Sequence, residues 1–169
     1  MNEASRSEGK MVATAPDKSL LRLGRQTTRD EIIARAASWL RPSVPYSQDA
    51  FHENEHGVYR TDCSGYISMA WGIPGRAGNV HGGLDTVGLA KAGFEIRKAE
   101  LAPGDVLLRA EGTNLTRHVI LFGAWANRRR TRFWGYEQVG GQGTVLHLIE
   151  YPHGRKALAY KPFRYIRTK

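Results

Sequence analysis

Cysteine, acidic residues and long apolar runs are all scarce in this sequence of 169 residues. Its single cysteine, Cys63, excludes an internal disulfide and a metal site built from cysteines alone. No run approaches the roughly 18 apolar residues of a membrane helix, so no membrane span is expected. The opening residues, MNEASRSEGKMVATAPDKSLLRLGR, lack the apolar core of a secretory signal. That absence points either to a cytoplasmic protein or to the leaderless form of an extracytoplasmic one. Rich in Ser, Lys, Glu and Arg, residues 1–25 read as a disordered tail. The remainder, 26–169, is the right size for one domain with its own core.

Acids number 16 against 25 Lys and Arg, a net charge of +9. Such a chain favours an anionic partner, whether nucleic acid, a membrane face or an acidic wall polymer, and charge alone does not choose among them. The basic clusters, Arg128-Arg129-Arg130 with Arg132 and then residues 164–169, match no nucleic-acid motif. They read as a solvated hairpin turn and a basic end, and no nucleic-acid partner is expected.

Helical signals come first. Thr28 is a suitable N-cap, and Asp30 and Glu31 suit the first turn beside the positive end of the helix dipole. Ile32, Ile33, Ala36, Ala37 and Leu40 follow at helical spacing, and Pro42 stops the run. Residues 42–61 mix Pro, Gly and charge and read as loop. A second helix is predicted from Cys63 to Trp71, before Gly72 and Pro74. A weaker third spans 84–92, with Gly93 as its stop. Beyond Pro103 the pattern changes to short β-branched or aromatic runs at 106–109, 118–125, 132–139, 144–151 and 163–166. Helices followed by strands predict an α+β domain with an antiparallel sheet of about five or six strands.

Cys63 lies at the predicted first turn of the second helix. Free backbone N–H groups and the helix dipole there favour a thiolate and would also bind an oxyanion. Gly65 permits close approach of another backbone or a substrate. A nucleophilic thiol needs a base, and the sequence has six histidines. His118 is the strongest candidate, because it opens the apolar run Val119-Ile120-Leu121-Phe122 and would be held rigidly there. His52, His56, His81, His147 and His153 fall in polar loops or outer strand positions. A third group should orient the imidazole. Glu137 or Gln138 could face His118 from the returning strand. Their side chains point to opposite faces, so register decides between them. Glu137 is preferred because a carboxylate also stabilises an imidazolium.

Two further motifs compete. His52-Glu53-Asn54-Glu55-His56 fits the H-E-x-x-H zinc-protease pattern, but that chemistry needs a helix. The segment lies between Pro45 and Gly57 with little apolar surface, and a solvated loop is expected. Gly140-Gly141-Gln142-Gly143 precedes no helix and reads as a hairpin turn. Neither a metal nor a cofactor is expected.

Val44-Pro45-Tyr46, Asp62-Cys63-Ser64-Gly65, Leu101-Ala102-Pro103-Gly104-Asp105-Val106 and Arg117-His118-Val119-Ile120 together resemble the NlpC-type cell-wall cysteine peptidases. The resemblance runs over about residues 28 to 166. It implies a circularly permuted papain-like fold, with the Cys at a helix N-terminus and the His on an antiparallel sheet. It also implies hydrolysis of peptidoglycan stem peptides by Cys63 and His118. Tyr46, Asp62 and Ser64 match positions that shape the substrate site and, in some members, hold a free amine of the stem. Ser47-Gln48-Asp49-Ala50 stands where the family often has two glycines, and Glu137 is a less usual third residue than His, Asn or Gln. The expected protein is a monomer acting on a peptide or peptidoglycan fragment. Two other functions fit the same residues. One is a cytoplasmic acyl transferase or amide-forming enzyme using the same pair; the other is a catalytically inactive basic binding domain.

Overall fold

In the computed structural model, residues 23–151 and 160–169 are described. Most of the expected tail, and His153, lie outside the described residues. α1 (Arg29–Ala37) begins where its cap predicts. Thr28 accepts the Glu31 N–H, and the Glu31 carboxylate accepts the Thr28 N–H. This reciprocal cap contributes about 1 kcal/mol. Ile32 and Ala36, one turn apart, are the buried positions. The helix stops before Leu40, which instead forms a β-bridge with Ser43 ahead of Pro45.

The stretch 42–61, expected as loop throughout, contains a hairpin. β1 (Phe51–Asn54) pairs antiparallel with β2 (Gly57–Arg60). Gly57 turns the chain at φ 125°, a conformation that L side chains rarely adopt. The mostly polar Phe-His-Glu-Asn of β1 carries little strand signal. Thr61 N–H donates to Ala50 and extends the pairing by one step, while Arg60 N–H donates to the distant Gly82 and ties the hairpin to the rest of the chain. His52 and His56 therefore sit on a strand and its turn. His52 packs edge-on against Trp39 at 5.3 Å between ring centroids, while His56 lies beside Glu55.

α2 (Cys63–Trp71) has the predicted limits. Asp62 caps it by accepting the Gly65 N–H, and Gly72 closes it in the left-handed conformation at φ 73°. Every residue of α2 is buried. It packs between α1 and the sheet, tied by Tyr66 Oη to Ala36 O and Trp71 Nε1 to Gly104 O. α3 (Thr86–Ala92) starts later than expected because Asp85 is its cap, which leaves Leu84 outside. Gly93 ends α3 in extended rather than left-handed backbone and opens a short strand that the sequence did not signal, β3 (Gly93–Glu95).

β4 (Val106–Arg109), β5 (His118–Trp125), β6 (Arg132–Val139), β7 (Gly143–Glu150) and β8 (Lys161–Tyr165) complete a six-stranded antiparallel sheet in the order β3-β8-β4-β5-β6-β7. The fold is thus α+β, with three α-helices among the described residues. Val106, Leu108, Val119 and Leu121 face the helices, while Leu107, Ile120, Phe122, Phe133 and Ile149 form a second cluster. Both faces of β4 and β5 are buried, which explains their continuous apolar sequence. No helix among the described residues is long and apolar enough to cross a membrane.

Candidate active site

Two element ends meet at the site: the N-terminus of α2, which carries Cys63, and the start of β5, which carries His118. Cys63 is 7% exposed and opens onto a surface cleft. Asp62 uses the Gly65 N–H for its cap, so the donors of Cys63 and Ser64 are not consumed by the capping side chain. Gly65 has a structural reason to be glycine, because a Cβ there would collide with the Arg60 carbonyl oxygen. It is a backbone that approaches, not a substrate.

His118 donates from Nε2 to Glu137 Oε1 at 2.6 Å. Burial lowers the imidazole pKa, but hydrogen bonding to Cys63 and Glu137, with their negative charges, outweighs it and raises the value to about 9. His118 is therefore an imidazolium at neutral pH. Tyr160 stands edge-on to the ring, at 6.4 Å between centroids. Burial, with the charge of Glu137, pushes the Tyr160 hydroxyl up to about 12.

Register decides between Glu137 and Gln138. Glu137 faces Val145 and Gln138 faces Thr144 across β6 and β7. Alternation sends them to opposite faces. Glu137 is brought to His118. Gln138, fully buried, donates from Nε2 to Val44 O at 3.1 Å and fixes the strand to the chain leading to Tyr46.

His147, set aside on sequence grounds as an outer strand position, belongs to the site. It donates from Nε2 to Glu137 Oε2 at 2.6 Å. Glu137 is only 4% exposed, and a histidine occupies each of its oxygens. The missed signal was spacing: His147 stands across from Gly135, two positions along from the Glu137–Val145 pair and so on the same face.

Tyr46, Gln48, Asn114 and Arg117 form a ridge shared by two pockets. One, of about 320 Å³, lies over Cys63, Asp62 and Ser64. The other, of about 710 Å³, lies over His118 and Tyr160. Gln48 Nε2 donates across the ridge to Asn114 O at 3.2 Å. Burial raises the Tyr46 hydroxyl pKa, opposed by its hydrogen bond from Gln48.

Asp62 and Ser64 line the cleft, but their polar atoms are engaged. Arg60 Nε donates to Asp62 Oδ2 at 2.6 Å, and its Nη2 donates to Ser64 Oγ at 3.0 Å. The same guanidinium also donates to His81 O and Leu84 O, clamping the glycine-rich loop to the start of α2. A guanidinium thus occupies the pair that the resemblance associates with a substrate amine.

His52, His56 and His81 contribute no side-chain hydrogen bond to Cys63 or Glu137. In comparisons with known proteins, no family model and no curated protein matches the chain.

Proposed function

We propose that this protein is a cysteine-dependent amidase of the NlpC type, with a permuted papain-like fold, which hydrolyses an amide bond in peptidoglycan stem peptides. The observation that carries the reading is His118, held by the buried Glu137 at 2.6 Å and feeling the charge of Cys63, which opens onto the cleft at the start of α2. The order of elements, helices and then an antiparallel sheet, agrees with the fold that the resemblance implies.

Each side chain has a role in that chemistry. Cys63 Sγ, its proton passed to His118, attacks the amide carbonyl carbon. Negative charge developing on the carbonyl oxygen is met by backbone N–H groups at the start of α2. His118 then protonates the leaving amine, and the C–N bond breaks to leave a thioester on Cys63. Water, deprotonated by His118, attacks that thioester, releasing a carboxylic acid and restoring the thiolate. Glu137 holds the imidazole orientation and stabilises its charged form. The net charge of +9 favours approach to an anionic wall.

The test is mass spectrometry of purified wall peptides incubated with the protein or with Cys63→Ala, with free amine acceptors in parallel. Cleaved stem peptides that disappear in the variant support the reading. Products joined to the added amine replace it with acyl transfer by the same pair. No thiol-dependent product from either incubation overturns the wall-peptide assignment.

A further inference from the structure

The two pockets of the cleft differ in charge. The pocket over Cys63 has acids and bases together: Asp49, Asp62 and Asp85 with Arg60 and Arg117. Arg60 is neutralised by Asp62, at 2.6 Å. The pocket over His118 is lined by Arg109 and Arg117, and no carboxylate among the described residues lines it. Neither arginine forms a salt bridge with a described carboxylate, unlike Arg29, Arg60 and Arg164. Arg117 is anchored through its Nη2 to Asn114, yet its Nε is buried with no hydrogen-bond partner. The two partly buried guanidiniums repel one another across this pocket and lack an anion among the described residues, whereas His118 is already paired with Glu137 at 2.6 Å.

We infer that the pocket on the His118 side is a carboxylate-binding site, in which Arg109 and Arg117 hold a carboxylate on the leaving-amine half of the substrate. This rests on the amidase reading for its orientation. His118 must protonate the leaving nitrogen, so the half of the substrate that carries this nitrogen lies on the His118 side. In an amino acid the carboxylate is two bonds from the nitrogen, which places it in the same pocket. The planar fork of a guanidinium matches a carboxylate edge. The substrate class is thereby narrowed: the residue that supplies the leaving nitrogen has a free carboxylate rather than a further peptide bond.

The lone cysteine allows a test that does not depend on turnover. Cys63 Sγ displaces iodide from either iodoacetate, an anion, or iodoacetamide, its neutral counterpart, and loss of thiol measures each rate. The ratio of the two rates reports the anion preference beside the thiol. We expect Arg109→Gln and Arg117→Gln each to lower that ratio about threefold, and the pair about tenfold, with the iodoacetamide rate held. Arg109→Lys should retain most of the ratio. Thermal unfolding confirms that each variant is folded, and the single variants carry the test if the double one is not. An unchanged ratio in both folded single variants overturns the site, including the case where both rates fall together.

A second arm uses two stem peptides that differ only in a carboxylate or a carboxamide on the leaving residue. Preference for the carboxylate by about tenfold in kcat/KM, abolished in the glutamine variants, supports the site. Equal cleavage of the two overturns it while leaving the amidase reading intact. Cleavage of neither counts against the amidase reading alone, and the alkylation ratio then decides the site.

Discussion

Asp105 and Glu137 are both buried carboxylates, 0% and 4% exposed, and both are fully surrounded by donors. Asp105 is held by Arg29 at 3.1 Å, by Arg164 at 3.0 Å and by the Ala102 N–H at 2.9 Å. Glu137 is held by two histidines at 2.6 Å each. Desolvating a carboxylate is costly in either place. The difference is in the partners. Arginine does not titrate in the neutral range, and hydrogen bonding to Asp105 raises the Arg164 pKa further. Histidine changes charge within reach of neutral pH. Asp105 is therefore a fixed lock that joins α1, the turn before β4, and β8. Glu137 is the centre of a group whose protons can move. The same side-chain chemistry is structural in one place and, on the proposed amidase reading, functional in the other because of what neutralises it.

The largest effect is expected at the lock. Asp105→Ala leaves two guanidiniums without their shared anion and should cost about 3–5 kcal/mol, read as a lowered denaturant midpoint. Retained stability would remove the structural half of the comparison. Glu137→Gln comes next, with kcat lowered about 100- to 1000-fold while the protein remains folded, because the imidazole loses its charged partner. Steady-state kinetics on whichever amide is cleaved would measure it, and an unchanged kcat would make Glu137 another structural acid.

A pH titration sharpens the contrast further. The folded-state value of about 9 for His118 is above its ordinary 6.5. A raised histidine contributes stability that is fully present below about 6.5 and is lost as pH rises through about 9. The stability difference between wild type and His118→Gln should therefore shrink between pH 6 and pH 10, and activity should fall over the upper part of that window. Variants of Arg29 or Arg164 should show no such trend relative to wild type. The smallest effect is expected from His147→Asn, which removes one of the two donors to Glu137. A kcat loss of about three- to tenfold, with a shifted alkaline limb, would mark His147 as a positioning residue. A wild-type pH profile would reduce it to packing.

Legibility followed the range of the forces involved. α2 was bounded correctly because its signals are local: Asp62 as cap, Gly72 as left-handed stop, and an apolar stretch between them. β4 and β5 were legible because burial on both faces writes continuous apolar runs. β1 was not, since its four residues carry mixed polarity and its pairing depends on contacts with Ala50 and Gly82. Arg164 looked like part of a solvated basic end, yet it binds Asp105 across 59 positions of chain. In each miss one partner, Gly82 for the hairpin and Asp105 for Arg164, is distant in sequence, and no periodicity records it.

By itself the sequence determined the α+β order, the thiol at a helix start and the histidine at a strand start, because caps, stops and alternation act over a few residues. Only the tertiary structure decided which of Glu137 and Gln138 meets His118, since strand alternation sends them to opposite faces. It also decided that His147 joins them, that Arg60 occupies Asp62 and Ser64, and that Arg109 and Arg117 share a pocket. Those outcomes depend on side chains from separate elements coming within hydrogen-bonding or Coulombic range, and chain folding alone sets those distances.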